Sequence, residues 1–483
     1  MTIAQSKHLA FFHGVAEAAF ANPFGPKRQE IDADLAGLGR AAARTKVLET
    51  LLMRVTTVLN EYGDIDVAQI PREHRRAVEL TLLFHLFHQH VDDFDALILR
   101  QSAAGSEPVD VPFGEEIVAA LIGFGFAAGR AERLLGLLYQ IRRAFYFISQ
   151  TLAGASPSMQ RLRERVWQNI FTDDIGLYES TLWSRMEDFS TFFYGETGTG
   201  KGTAAAAIGR AGWIDWNPKQ RRFAHGFDDG FVPVHLSQFP ESLLESELFG
   251  HRKGAFTGAI DAHAGVFARC RPHGTIFLDE IGEVSTPIQI KLLRVLQERL
   301  FSPVGSHEEV PFRGRIIAAT HDPPSVLRRS GRMRDDFFYR LCSDVIEVPP
   351  LRVRLAERPT ELQALVERIL ARTIVDVEEA VVVRVMGAIQ ALGADYRWPG
   401  NVREVEQCVR RVLLTQTYQG DSVAAGAASD WGSLRVSAGQ LLARYCATLY
   451  AELGSYGAVA RIVELDRRTV KRHVDAFHAT EVL

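Results

Sequence analysis

The chain has 483 residues, 47% hydrophobic and 24% charged, which excludes a disordered or fibrous protein and allows about three domains. A formal charge of −4 excludes nucleic-acid binding through bulk charge, so any such contact needs a local basic patch. Cys270, Cys342, Cys408 and Cys446 form no CxxC pair, no apolar run nears the roughly 20 residues of a membrane span, and no secretion signal opens the chain; a cytoplasmic protein with reduced thiols and no membrane contact is expected.

Residues 1–150 carry helical periodicity over Val47–Leu59, Arg75–Phe94 and Arg130–Ile148, so a mostly α regulatory domain responding to an unknown effector is expected. His85, His88 and His90, followed by Asp92, Asp93 and Asp95, bring metal-ligand types together. With no second ligand-rich segment, they read as packed or surface side chains, a metal site being the alternative. Gly123-Phe-Gly-Phe-Ala-Ala-Gly129 lacks the preceding strand of a dinucleotide fingerprint, and that reading is discarded. Leu134–Ile148, aromatic-rich and carrying Arg142 and Arg143, reads as core packing, with a ligand pocket or dimer interface as alternatives.

Phe192-Phe-Tyr194 runs into Gly195-Glu196-Thr197-Gly198-Thr199-Gly200-Lys201-Gly202-Thr203 and an Ala-rich helix former. Strand, glycine loop and helix in that order make a P-loop: backbone N–H groups and the helix N-terminus cradle polyphosphate, and Lys201 reaches the outer phosphates. Gly202 stands where such loops commonly carry a magnesium-ligating hydroxyl, and Thr203 is one position late. Gly254-Ala255-Phe256-Thr257-Gly258-Ala259 makes a mobile tip, its glycines permitting positive φ and its Phe256 offering apolar area outward. Read alone, the hexapeptide is a Gly-rich hairpin turn.

Thr275-Ile-Phe-Leu278 delivers Asp279 and Glu280 to a strand end, the first suited to holding Mg2+ through water and the second to polarising the water that attacks a γ-phosphate. A third apolar strand, Gly314–Ala319, ends in Thr320 and His321, placing a polar side chain beside the phosphate. Arg334 and Arg340 offer guanidinium forks to developing phosphoryl charge; surface pairing with Asp335 and Asp336 is the plainer reading of either alone. In Trp398-Pro-Gly-Asn-Val-Arg403-Glu, Arg403 opens a helix that could face nucleotide. Val423–Ser429 reads as a linker. Beyond it, Ala438–Leu453, Ser455–Val463 and Arg467–Val474 have helix-turn-helix spacing, with Arg467, Arg468, Thr469, Lys471 and Arg472 facing a DNA groove, or else forming a solvated basic face.

These motifs together resemble the AAA+ activators of sigma-54 RNA polymerase, the bacterial enhancer-binding proteins. The likeness runs from about Ala155 to Gly420. It rests on the P-loop, Glu245-Ser-Glu-Leu-Phe-Gly-His251 with the GAFTGA hexapeptide, Phe277–Glu283, Phe337–Leu341, Pro349-Pro-Leu-Arg352 and the Trp398–Glu404 segment. It implies an α/β fold: an AAA+ P-loop core of three α/β/α layers with a helical lid, a mostly α N-terminal regulatory domain before it, and an all-α, Fis-type helix-turn-helix after it. Boundaries fall at 1–150, 151–350, 351–420, 421–436 (linker) and 437–483. By the same resemblance, ATP and Mg2+ sit between subunits of a ring, commonly a hexamer. Lys201, Asp279 and Glu280 act in cis, Arg334 and Arg340 are fingers from the neighbour, and Arg403 is the lid sensor. Gly254–Ala259 touches the sigma-54 holoenzyme, and the C-terminal helices bind upstream enhancer DNA. His235 and His321 depart from the family, which carries Asn at both places; imidazole donates hydrogen bonds as an amide does but also titrates near neutral pH. Two rivals stand beside this reading: a DNA-binding regulator whose nucleotide controls only its oligomerisation, and a remodeller of some other protein.

Overall fold

The computed structural model describes residues 8–420 and 437–481; the linker expected over 421–436 lies outside the described residues. They fall into two compact units that divide between Tyr418 and Gln419. No helix among the described residues is long and apolar enough to cross a membrane.

The first unit is built on a five-stranded sheet. Its strands are β1 (Thr191–Tyr194), β2 (Phe231–His235), β3 (Thr275–Asp279), β4 (Arg315–Thr320) and β5 (Asp344–Glu347), in the order β2-β3-β4-β1-β5 and all parallel. Parallel strands are covered on both faces and read as continuous apolar runs, as Ile276–Leu278 and Ile316–Ala319 do. Because side chains alternate, each strand feeds two separate cores. Phe193, Phe277, Ile317 and Ala319 join one; Phe192, Ile276, Leu278, Ile316 and Ala318 join the other. Register sets His235 beside Asp279, Asp279 beside Ala319, and Thr320 beside Tyr194, so the strand ends form one row, where ligands bind in open α/β sheets.

The N-terminal residues are helical, as their periodicity predicts, with one difference: the helix expected over Arg75–Phe94 is two, Arg72–Gln89 and Val91–Ala104. His90 leaves helical geometry between them (φ −110°, ψ 16°), its Nδ1 2.8 Å from Asp93 Oδ2. These helices share the first of the two sheet-face cores, which runs unbroken from Phe11 to Val348. The long helix Ala128–Thr151 makes the junction. Its Tyr139 stacks on Phe223 at 4.3 Å, and its Gly136 lies against Trp213, where a Cβ would come within 3.0 Å of the indole. Its Arg143, 1% exposed, donates to the carbonyls of Arg210 (2.7 Å) and Gly212 (2.8 Å), while Gln140 donates to Ala211 O (2.9 Å). Those carbonyls close the P-loop helix Lys201–Arg210, whose C-terminal end carries the negative pole of its dipole and orphan acceptors. A buried cation there satisfies both. Burial pushes Arg143 down to about 10, still well above neutral, so the charge stays.

The lid follows as helices Leu351–Glu357, Glu361–Thr373, Glu379–Gln390 and Asn401–Thr415 around Leu351, Val366, Trp398, Val405 and Val409. A buried ion pair, Arg354 to Glu361 at 2.5 Å, also holds the stretch before the module, with Glu361 accepting from Ser156 N (2.8 Å) and Arg354 donating to Ala153 O (3.1 Å).

The second unit is three helices, Ala438–Leu453, Tyr456–Val463 and Arg467–Glu481, closing on Cys446, Val459, Val470 and Val474. The third continues past the expected Val474. Ile462, on the second of these helices, is 52% exposed.

Replacing Arg143 with Met strands two interior carbonyls and is expected to cost about 2–4 kcal/mol, read as a lowered urea midpoint of the full chain. An unchanged midpoint would show that this cap holds nothing.

Candidate functional site

The loop after β1 is shaped by glycines that no other residue would replace. Gly195, Gly198 and Gly200 take φ of 149°, 78° and 103°, and a Cβ on Gly198 would stand 2.3 Å from Gly400 O. The main chain of the lid therefore lies directly on the P-loop. Val402 N donates to Gly198 O at 3.1 Å. Asn401, buried and itself at φ 52°, accepts from Leu351 N (2.7 Å) and donates to Thr197 O (3.0 Å). Arg352 pairs with Glu196 at 2.6 Å, holding its carboxyl below the usual range, with Asn401 assisting against desolvation. Arg352 and Asn401 carry no role legible in the sequence beyond their place inside the Pro349–Arg352 and Trp398–Glu404 segments.

Lys201 is buried and turned onto its own loop, Nζ to Gly195 O (2.8 Å) and Glu196 O (3.2 Å). Burial lowers its pKa, Glu280 and Asp279 opposing. Gly202 faces the Phe277 ring at ordinary contact distance, and Thr203 is exposed. Across the row, Asp279 Oδ1 accepts from Glu280 N (3.1 Å); burial, then the nearby Glu280, raise the Asp279 pKa, while His235 and Lys201 pull it down. His235 Nδ1 lies 3.1 Å from Asp279 Oδ2, and His321 Nδ1 3.1 Å from Glu280 Oε2. The two departures from the expected Asn thus each touch one carboxylate of the pair. Thr320 Oγ1 is buried with no partner, an orphan polar atom at the strand-end row. Arg403 is exposed, its Cβ 3.0 Å from where a Gly198 Cβ would be. A glycine cradle, a lysine held only by carbonyls, two carboxylates and an unsatisfied hydroxyl fit a polyphosphate with its divalent cation.

Arg334 and Arg340 lie apart from this row. Arg334 pairs with Asp336 at 2.7 Å, and Arg340 Nε donates to Leu296 O at 2.9 Å; within the chain neither bonds to a nucleotide-site residue among those described.

The hexapeptide Gly254–Ala259 leaves the sheet through the helix Glu241–Phe249, which follows β2. Gly254 and Gly258 have φ of 80° and 102°, and Gly254 N donates to Ala259 O at 2.8 Å, pinching the loop base. Phe256 is 38% exposed, its ring 4.9 Å from that of His251; Thr257 is exposed at the tip. A second loop supports the base, with Arg252 N donating to Val304 O (3.1 Å) and Ala255 resting on Gly305.

Residues 177–347 match the sigma-54 interaction domain. The match lies in the middle of the chain and spans the sheet from β1 to β5. The chain is 41% identical across 226 residues to the hydrogenase transcriptional regulatory protein HoxA of Cupriavidus necator, covering 47% of this chain and 43% of that one. It is also 41% identical across 226 residues to the sigma54-dependent transcriptional activator SfnR of Pseudomonas putida, covering 47% and 57%. To the Nif-specific regulatory protein of Azotobacter vinelandii it is 37% identical across 277 residues, covering 56% and 46%. The chain spans about half the length of these relatives.

In the second unit Arg467, Arg468, Lys471 and Arg472 are exposed. Thr469 is half-buried, its hydroxyl held by Asp466, which also accepts from Arg468 N (2.8 Å) and Thr469 N (3.0 Å) and so caps the helix. Of the histidines in the helical half, His88 bonds Phe84 O at 2.8 Å and His90 engages Asp93, while Asp95 pairs with Arg142. Among the described residues no His, Cys, Asp and Glu group is arranged to hold a metal ion.

Gly198→Ala is expected to cost about 1–3 kcal/mol of backbone strain and to push the lid off the P-loop. The measurement is binding of a fluorescent ATP analogue, expected to weaken at least about tenfold; parent-like affinity would contradict the close main-chain contact.

Proposed function

We propose that this protein is an ATP-driven activator of sigma-54 RNA polymerase. The observation that carries the reading is an exposed Phe256–Thr257 tip on a segment that begins at His235, in contact with Asp279. ATP lies in the cradle Gly195–Thr203, and Lys201 exchanges the carbonyls of Gly195 and Glu196 for the outer phosphates. Mg2+, held through Asp279, neutralises phosphate charge when bound. Glu280 orients the attacking water, Thr320 gives its unpartnered hydroxyl to the phosphate side, and Arg403 reports nucleotide from the lid. Copies of the chain form a homo-oligomeric ring, expected to be a hexamer, in which Arg334 and Arg340 leave Asp336 and Leu296 O for the phosphates of a neighbour.

Turnover changes the charge facing Asp279 and Glu280, and His235 and His321 feel it directly. His235 ends the strand that feeds the helix under the loop, so a shift there moves Gly254–Ala259 against sigma-54. The C-terminal helices bind upstream enhancer DNA, Arg467, Arg468, Lys471 and Arg472 meeting phosphates or base edges while Thr469 stays with the helix cap. The N-terminal helices receive the effector.

Thr257→Ala decides between this reading and a regulator whose nucleotide only sets assembly. ATP hydrolysis is expected to persist, while open-complex formation at a sigma-54 promoter falls about 30-fold, as for a lost central contact of about 2 kcal/mol. Undiminished opening would defeat the proposal. For the DNA half, Arg468→Ala is expected to weaken binding to an upstream site by about 1–3 kcal/mol at fixed salt, measured by fluorescence anisotropy; equal affinity would remove that helix from the interface.

A further inference from the structure

A cavity of about 670 Å³ opens inside the helical half, among the helices Pro26–Ala36, Arg44–Asn60, Arg72–Gln89 and Ala128–Thr151. Globular interiors are close-packed and leave few voids larger than a water molecule; this one falls in the range of small-molecule sites, roughly 300–1,000 Å³. Its walls are chiefly aliphatic and aromatic, among them Leu48, Leu83, Phe87, Leu134, Leu137 and Ile141.

The charges at its edge are mostly compensated. Arg28 Nε lies 2.8 Å from both Asp32 oxygens, Arg142 pairs with Asp95, Arg40 with Glu30 at 3.3 Å, and Glu179 with Arg76 at 2.8 Å. Glu49 and Asp92 are exposed to solvent. His88 adds no charge: burial pushes it down to about 4, the Phe84 carbonyl opposing and Arg28 and Arg142 assisting. Arg44 is left. Like Glu49 and Asp92 it is exposed to solvent; its guanidinium donates to Pro23 O at 2.5 Å and forms no ion pair among the described residues, with Asp32, bonded to Arg28, close enough to act on its charge.

We propose that this cavity binds an amphipathic monoanion, an apolar chain or ring carrying one carboxylate, with the apolar body between Leu48, Phe87 and Leu137 and the carboxylate on Arg44. A guanidinium with no direct ion-pair partner beside a large apolar void matches those two halves, since a bidentate carboxylate supplies both charge and hydrogen bonds. The inference names the effector class for the N-terminal domain, and in that sense rests on the activator reading, although binding itself does not need it. The helix Ala128–Thr151 turns Leu134, Leu137 and Ile141 to the cavity and Gln140 and Arg143 to the end of the P-loop helix. An occupant on one side of that helix therefore bears on the cap on its other side.

The test is calorimetric titration of the full chain with sodium decanoate, with 1-decanol and decyltrimethylammonium as the neutral and cationic counterparts. Decanoate is expected to bind saturably, one per chain, and more tightly than either. Arg44→Met should weaken decanoate at least about tenfold and leave decanol unchanged. Leu48→Trp should abolish both by filling the space, in a protein whose circular dichroism matches the parent. No saturable binding, cation binding as tight as decanoate, or an Arg44→Met variant equal to the parent overturns the proposal. ATP turnover is measured alongside: decanoate bound as expected to a chain that never hydrolyses ATP leaves the site in place and counts against the activator reading alone.

Discussion

The nucleotide half of this molecule depends on a cation supplied by the other half. Three carbonyls at the end of the P-loop helix, those of Arg210, Ala211 and Gly212, are answered by Arg143 and Gln140 from a single N-terminal helix. The helix whose positive pole opens onto the glycine loop thus has its negative pole fixed by a buried guanidinium, and the two poles belong to one dipole. Since Arg143 is tied to Tyr139 by a cation–π contact at 4.5 Å and Tyr139 is stacked on Phe223, the cap is held on several sides. The N-terminal helices are in this sense part of the P-loop scaffold.

At the opposite end of the same helix, main chain meets main chain. Gly198 and Gly400 approach too closely for any side chain to intervene, and Asn401 stitches Thr197 to Leu351. Loop, lid and the row of strand ends are thereby positioned by backbone geometry, so the side chains of Lys201, Asp279, Glu280 and Thr320 are not what holds the loop to the lid. Arg334, by contrast, sits exposed on a neighbouring carboxylate, where exchange for a stronger anion costs little.

Much of this was legible in the chain itself. Short apolar runs ending in defined polar residues gave β1, β3 and β4, because buried parallel strands need no alternation and their C-terminal ends carry the ligand-facing groups. The glycine loop and the exposed Phe256–Thr257 tip followed from what positive φ requires. What escaped were pairings across sequence distance. That His235 would meet Asp279 depends on strand register, and that Asn401 would bond Thr197, 204 positions away, depends on lid closure. Arg142 and Arg143 are neighbours on one helix with opposite destinations, the first at a cavity and the second on the P-loop helix; periodicity marks the helix but does not say what lies on each side of it. The break at His90 came from a local side-chain bond competing with helix continuation.

The alternation along the strands also partitions the molecule. Phe193, Phe277 and Ile317 face the N-terminal helices, whereas Phe192, Leu278 and Ile316 face the layer that holds Phe249 and Phe267, which flank the protruding hexapeptide. The pleated wall between them is only one peptide layer thick, yet the two apolar compartments share no side chain. The strands belong to both compartments, and they surface together at the row that holds His235, Asp279 and Thr320. A displacement at that border bears on both compartments at once.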